Sequence, residues 1–327
     1  MSHTPRTVGV MALLAQVLSP AQQAVNDALR AGERPSFPPT LGADLQGELE
    51  EGLASVLGPI DALALAPVFI SKHKLSSVHG CEVRFLAEEA AGFAGWTIPM
   101  ARGTVAHRAI ELSMHARGTP VPGELVDHSL SRLADDGGGL GEYLQSLAEL
   151  DRADLRGQAV EQVCSFLETW PPLQQRWRPR SESKVRVELC AERVILQGKV
   201  DLSIGYAEGT TAGKVLIDFK TGGFSPEHLH DLRFYALIET IARGVPPFRV
   251  ASHYLERGPA GLLSEDITEA ALHAAARRVI DAVRRAVELQ GGTGEPAIAK
   301  AGPACRWCPA LGECDTGQAH VAQTDSW

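Results

Sequence analysis

Two aspartates and a lysine lie on neighbouring segments whose composition is typical of β-strands. Asp201 lies in the segment Val194–Ile204, and Asp218 and Lys220 lie two residues apart in the next predicted strand. Because strand side chains alternate, Asp218 and Lys220 project from one face, and an antiparallel connection would bring Asp201 close to Asp218. Carboxylates are preferred ligands of Mg²⁺, and a bound metal activates water and polarises a phosphate. The pattern therefore predicts a metal-dependent phosphodiesterase site, in which the lysine offsets developing negative charge.

The same aspartate–lysine spacing is also common on exposed strands, where the two side chains form an ordinary ion pair. The flanking residues favour catalysis. An apolar run, Val215–Ile217, precedes the charges, and Thr221-Gly222-Gly223 turns the chain directly after them. We therefore expect the strand to be buried and the charged groups to emerge at its end.

A histidine upstream of these strands is a candidate third metal ligand. Gly103 is predicted to open a helix in which His107 and Glu111 share one face, because they are four residues apart. A glycine one turn before His107 would let a strand or a substrate approach the helix closely. The alternative is an ordinary core or surface histidine.

Four cysteines form a second constellation. Cys305 and Cys308 have the Cys-x-x-Cys spacing shared by zinc and iron–sulfur sites, Cys314 follows six residues later, and Cys81 is the candidate fourth ligand. Clustered cysteines in an intracellular chain of this size indicate metal ligation rather than disulfides. The two other cysteines lie in apolar contexts and are expected to be buried core thiols.

Composition limits the location and the partners. The chain has 327 residues and a formal net charge of −9. It contains no apolar run of about 18 residues, which argues against a membrane span. Residues 1–6 have no signal-peptide pattern, so a cytoplasmic location is expected. This negative net charge argues weakly against nucleic-acid binding, because proteins that bind nucleic acid usually carry an excess of basic residues.

A local basic strip is nevertheless present. It comprises Arg176, Arg178, Arg180, Lys184 and Arg186, with Trp177 interleaved, and it is a candidate DNA contact through Arg176, Trp177, Arg178 and Arg180. A solvated loop and strand edge would explain these residues equally well. Arg233, on a predicted helix, is a further candidate DNA contact.

The order of elements predicts an α/β fold, with a mixed sheet flanked by helices on both sides. Residues 120–170 and 226–242 are predicted to be helical, and residues 185–219 to form strands joined by hairpin turns. We also expect Ser76-Ser77 to cap a helix that carries Cys81. A helical and partly mobile N-terminal extension is predicted over residues 1–66.

The order of these motifs resembles that of the RecB-type branch of the PD-(D/E)xK nucleases, over about residues 71–316. The motifs are Gly-x-x-x-His, Gly-x-Val-Asp, Ile-Asp-Phe-Lys-Thr-Gly and then a helix that carries a tyrosine. The resemblance implies a restriction-endonuclease-like core. It implies four metal ligands: His107, Asp201, Asp218 and the backbone carbonyl of Phe219. It also implies that Asp201 and Asp218 act in catalysis with Lys220 as the catalytic lysine, and that Tyr235 contacts DNA or braces the site. The chain departs from the family at Asp231, where a glutamine is common.

The cysteines resemble those of the iron–sulfur subgroup, which includes AddB-type recombination nucleases and CRISPR-adaptation nucleases. The resemblance implies that Cys81, Cys305, Cys308 and Cys314 bind a [4Fe–4S] cluster, with zinc as the alternative. The cluster would pin together the ends of a nuclease domain that spans residues 67–327.

The function implied is Mg²⁺- or Mn²⁺-dependent hydrolysis of DNA, in repair, recombination or defence. Exonuclease action on single-stranded DNA or DNA ends is favoured over endonuclease action, with DNA and a helicase or another nucleic-acid-processing protein as partners. Two alternatives remain: a DNA-binding subunit with a weak or inactive nuclease fold, and a zinc-stabilised enzyme that acts on a small phosphoester.

Overall fold

Runs of β-branched and apolar residues form one mixed sheet of six strands. The computed structural model describes residues 18–93, 95–116, 118–256 and 261–324. The strands are β1 (Val68–Ile70), β2 (Arg180–Leu189), β3 (Val194–Ile204), β4 (Val215–Lys220), β5 (Arg249–Tyr254) and β6 (Leu262–Asp266). They are ordered β1-β3-β4-β5-β6, and β2 also pairs with β3. The prediction of a mixed sheet flanked by helices is confirmed.

The strand β3 connects most of the sheet. It pairs with β2 over almost its whole length in an antiparallel hairpin. Its first residues pair with β1 in parallel, and its last residues pair with β4 in antiparallel. The predicted hairpin links on both sides of β3 are therefore confirmed, while the short strand β1 and the strand β6 were not predicted.

The helices form layers around this sheet. They are α1 (Pro20–Arg30), α2 (Leu41–Leu53), α3 (Leu57–Ala62), α4 (Lys72–Gly80), α5 (Glu82–Ala91), α6 (Ile98–Met114), α7 (Pro122–Asp135), α8 (Gly139–Ser146), α9 (Glu149–Thr169), α10 (Glu227–Arg243), α11 (Glu269–Gln290) and α12 (Asp315–Thr324).

Along β4, successive side chains point to opposite faces. Asp218 faces α4 and α10, whereas Phe219 packs edge-on against Phe166 of α9 and against Trp170.

Two local helix predictions were wrong. The cap is Ser71, whose hydroxyl accepts a hydrogen bond from the backbone N–H of Lys74 at the start of α4. Cys81 is therefore not inside a helix but lies between α4 and α5 in an extended conformation. Likewise, Gly103 lies within α6, which begins earlier because Thr97 caps it and Pro99 favours a first helical turn.

The N-terminal helices belong to the same hydrophobic core as the sheet. Buried residues of α1, α2 and α3 join it, including Val25, Leu45, Leu49 and Ile60. The boundary at residue 66 stays a prediction, and residues 1–17 of the predicted extension lie outside the described residues. Among the residues that the structure describes, no helix combines the length and apolarity needed to cross a membrane.

One close contact explains the glycine of the Gly-x-Val-Asp motif. The aromatic ring of Tyr235, a buried residue of α10, packs on β3 at Gly198. A Cβ atom at this position would lie 2.5 Å from Cε1 of Tyr235 and 3.0 Å from Cδ1 of Ile238. Only glycine lets the helix lie this close to the strand that carries Asp201.

We therefore expect Gly198→Ala to destabilise the protein by about 1–3 kcal/mol, because the added methyl group overpacks a buried contact. Denaturant unfolding measures the loss. Gly47→Ala, at an exposed helical position with no atom within 4 Å of the added Cβ, is the control and should leave stability unchanged or slightly raised. Equal stability of the two variants would contradict the packing argument.

Candidate active site

The carboxylate of Asp218 is the centre of the site. Its side chain is only 3% exposed, and each oxygen binds a different ammonium group. Oδ1 accepts a hydrogen bond from Nζ of Lys72 at 2.9 Å, and Oδ2 lies 2.8 Å from Nζ of Lys220. Burial alone would raise the pKa of Asp218, but the two cations outweigh it and hold this pKa well below its usual range. Asp218 is therefore a buried anion stabilised by two lysines.

Asp201 lies beside Asp218, as the sequence predicts. The last register pairs of β3 and β4 include Leu202 with Ile217, so the two aspartates occupy the next positions along the hairpin. Oδ2 of Asp201 accepts a hydrogen bond from the backbone N–H of Phe219 at 2.7 Å. This bond fixes the carboxylate against the strand that carries Asp218.

His107 reaches the same carboxylate from α6. Its Nδ1 atom lies 3.4 Å from Oδ1 of Asp201. Burial by itself lowers the pKa of His107, but the neighbouring Asp201 outweighs this effect and raises the pKa overall. The structure thus brings together His107, Asp201, Asp218 and Lys220, four of the residues predicted to act in catalysis or metal binding.

The turn after β4 is held by α6 and α9. A Cβ atom at Gly103 would lie 3.1 Å from Oγ1 of Thr221, so the glycine permits close approach of α6 to the turn. Gln162 of α9 donates a hydrogen bond from Nε2 to the carbonyl oxygen of Thr221 at 2.8 Å. These contacts fix the chain directly after Lys220.

The helix α10 supplies the opposite wall. Oδ2 of Asp231 lies 3.5 Å from Nζ of Lys220, and its Oδ1 accepts a hydrogen bond from the Ser76 hydroxyl at 3.2 Å. Burial raises the pKa of Asp231. Tyr235 is buried, and its ring lies 5.3 Å from Nζ of Lys72. The tyrosine therefore braces the lysine and β3 in this structure.

The four predicted cysteine ligands line one cavity of about 570 Å³. Cys81 contributes from the junction of α4 and α5, while Cys305, Cys308 and Cys314 contribute from the C-terminal segment. Backbone N–H groups point at two of the sulfurs: Lys300 donates to Sγ of Cys81, and Gly317 donates to Sγ of Cys314, each at 3.4 Å. All six cysteines are free, and Cys164 and Cys190 do not line this cavity.

An ion-pair cluster anchors the C-terminal segment next to Cys81. Glu82 binds Arg285 of α11 through two hydrogen bonds of 2.7 Å and accepts a third from the backbone N–H of Ile298. Arg285 also donates to the carbonyl oxygens of Glu295 and Pro296. This network holds the segment that leads to Cys305.

The predicted basic strip lies further along the sheet. Arg176 and Trp177 line a separate cavity with Gly205 and Val215, at the far ends of β3 and β4 from Lys220. The guanidinium of Arg178 stacks on Tyr206 at 4.0 Å, and Arg180 begins β2 opposite Ser203. Arg233 of α10 forms a bidentate ion pair with Glu265. The proposed DNA contacts of these residues stay predictions.

Two residues that sequence analysis missed lie in these sites. Lys72 is bonded to Asp218, and Arg84 lines the cysteine cavity and forms an ion pair with Glu88. Neither lies in a recognisable motif, and Lys72 is 146 residues from Asp218. Only the fold brings the two together.

The chain belongs to the PD-(D/E)XK nuclease superfamily, because the family model matches residues 70–315, about three quarters of its length. No curated protein shows a significant match. One similar solved structure is the crystal structure of a "putative exonuclease" from Eubacterium rectale. It is 14% identical with a TM-score of 0.45, and the match covers 76% of this chain and 91% of that chain. Another is that of SSO0001, which is 14% identical with a TM-score of 0.30, covering 67% of this chain and 98% of that chain.

Nucleases of this superfamily typically use divalent metals. The donor set fits such an ion, since two carboxylates and an imidazole are suitable ligands. Among the described residues, no group of three or more histidine, cysteine, aspartate or glutamate side chains is arranged to hold a metal ion as it stands. A metal ion at this site would require movement of these side chains.

We expect Arg285→Met to destabilise the protein by about 2 kcal/mol, because hydrogen bonds to a charged group are lost around Glu82. Denaturant unfolding measures the loss, and limited proteolysis should show faster cleavage between residues 291 and 302. Arg193→Met is the control, since it removes an exposed ion pair with Asp61 and should cost less than about 1 kcal/mol. Equal losses in the two variants would contradict the anchoring role of Arg285.

Proposed function

We propose that this protein is a metal-dependent deoxyribonuclease that hydrolyses phosphodiester bonds of DNA with Mg²⁺ or Mn²⁺. The observation that carries the proposal is the convergence of His107, Asp201, Asp218 and Lys220 on one end of the sheet. These residues come from three separate motifs. A purely structural role would not require a histidine, two aspartates and a lysine to meet at one point, whereas a metal-dependent phosphodiesterase site would use each of them.

In this proposal, His107, Asp201, Asp218 and the carbonyl oxygen of Phe219 would hold the metal, which would supply Lewis acidity toward the scissile phosphate. Lys220 Nζ, placed 2.8 Å from Asp218, orients the attacking water or donates to a phosphate oxygen as negative charge develops there. The hydrogen bond from Phe219 keeps Asp201 in position during this step. Tyr235 supports the site by packing rather than by acting on the phosphate.

The cysteine cavity is proposed to hold a [4Fe–4S] cluster, with zinc as the alternative. The residues fit such a group: four thiol side chains from both parts of the chain line one cavity, two backbone N–H groups point at sulfur, and Arg84 adds a cationic side chain to the wall. A cluster at this point would join the α4–α5 junction to the C-terminal segment. Its role is structural.

The finer assignments rest on the family resemblance. We propose single-stranded DNA or DNA ends as substrates, exonuclease action, and a function in repair, recombination or defence. A helicase or another nucleic-acid-processing protein is the proposed partner.

Cleavage of DNA tests the activity directly. The substrates are end-labelled single-stranded and duplex DNA together with circular single-stranded DNA, each with Mn²⁺ or Mg²⁺. We expect the wild type to degrade linear DNA. Lys220→Met should lose at least about 100-fold in rate because charge stabilisation in the transition state is removed, and Asp218→Ala should lose at least as much because a proposed metal ligand is removed. Lys199→Met, at an exposed lysine paired with Glu182, is the control and should retain the rate.

Each outcome discriminates between candidate functions. Cleavage of the circle would overturn the assignment as an exonuclease but not as a nuclease. Binding of DNA without cleavage by the wild type would favour the alternative of a DNA-binding subunit, an interpretation supported by Asp231, which replaces the glutamine common at this position. Failure to bind DNA even at low salt would favour a small phosphoester substrate.

For the cluster, we expect Cys308→Ser to lose iron, visible absorbance and thermal stability, because one of four thiolate ligands is removed. Iron and zinc analysis of protein purified without oxygen measures the occupancy. Cys190→Ser, outside the cavity, is the matched control and should keep the metal content. Zinc in place of iron would select the alternative, and an unchanged melting temperature of Cys308→Ser would contradict the structural role.

A further inference from the structure

Lys72 occupies a position that its own helix does not favour. It is the first residue of α4, directly after the Ser71 cap. The positive end of the helix dipole lies at the N-terminus, so a lysine there is repelled by its own helix. Neither helix propensity nor capping explains this lysine, and a compensating partner must hold it.

That partner is Asp218. Nζ of Lys72 donates to Oδ1 at 2.9 Å, while Lys220 takes Oδ2 at 2.8 Å. The two lysines differ in exposure: the Lys72 side chain is 36% exposed, whereas that of Lys220 is 12% exposed. Lys72 therefore has a route to solvent, and Lys220, enclosed between Asp218 and Asp231, has little.

A divalent cation bound to Asp218 would lie close to both ammonium groups, because each oxygen of this carboxylate already contacts one of them. Repulsion between the like charges favours displacement of one lysine, and the more exposed Lys72 can leave without opening the site. The neighbouring carboxylates of Asp201 and Asp231 leave the metal-free site in need of a cation, which Lys72 provides through a long and flexible side chain.

We propose that Lys72 is a displaceable counter-cation, which occupies Oδ1 of Asp218 in the metal-free protein and leaves it when a divalent cation binds. This inference rests on the proposed metal-dependent function. Lys72 is thus a positioning residue, which acts through the Asp218 carboxylate by setting its affinity for the metal.

Mn²⁺ binding tests the proposal without requiring cleavage. We expect Lys72→Met to bind Mn²⁺ about tenfold or more tightly than the wild type, measured by calorimetry and by the electron paramagnetic resonance signal of free Mn²⁺, because a competing positive charge is removed. Lys72→Arg, which keeps the charge, should bind with affinity closer to the wild type. Lys74→Met is the matched control, since Lys74 lies on the same helix but pairs with Glu89 and should leave the affinity unchanged.

A second measurement uses only the wild type, so its result does not depend on whether a variant folds. Reductive methylation followed by mass spectrometry should show Lys72 modified several-fold faster with saturating Mg²⁺ than without it, relative to Lys74 in the same molecule. Unchanged methylation of Lys72 would overturn its proposed role, and so would an Mn²⁺ affinity of folded Lys72→Met that is equal to or weaker than that of the wild type. If the wild type still binds Mn²⁺ and cleaves DNA, the proposed function stands and only the role of Lys72 is overturned. A wild type that binds no Mn²⁺ would overturn the proposed function as well.

Discussion

The buried carboxylate of Asp218 is the constraint on which the site depends. An ionised group with this little exposure is costly unless it is paired with charge and hydrogen-bonded. Each surrounding element meets part of this requirement: β4 carries Lys220, α4 carries Lys72, and α10 carries Tyr235, which braces Lys72. Removing the negative charge would leave two cations with no common partner.

The rest of the fold explains how such a group can be held in place. The apolar residues of β4 and the aromatic cluster of Phe166, Trp170 and Phe219 bury the strand from the opposite face. Gly198 and Gly103 bring α10 and α6 close to the strands, each by lacking a Cβ atom at a point of contact. The superfamily motif is thus a set of packing requirements as well as a set of chemical groups.

Much of this site could be predicted from sequence because its parts are local. The β3–β4 hairpin has clear strand periodicity on both sides of its turn, so the proximity of Asp201 and Asp218 follows from the antiparallel register. Lys72 could not be predicted, because it depends on the three-residue strand β1, which is too short to show a period. The two wrong helix starts have a different cause, because their signals are visible in the sequence. Ser71 and Thr97 are both favourable cap residues, but the prediction placed the helix starts at Ser76-Ser77 and at Gly103 instead.

A crystal structure of the protein soaked in Mn²⁺, with diffraction data collected at the manganese absorption edge, tests the proposed metal site most directly. We expect an anomalous peak between the carboxylates of Asp201 and Asp218 and the imidazole of His107, with Nζ of Lys72 turned away from Oδ1. The absence of a peak there at saturating Mn²⁺ would overturn the metal site, and a peak with Lys72 still bonded to Asp218 would overturn the displacement of Lys72.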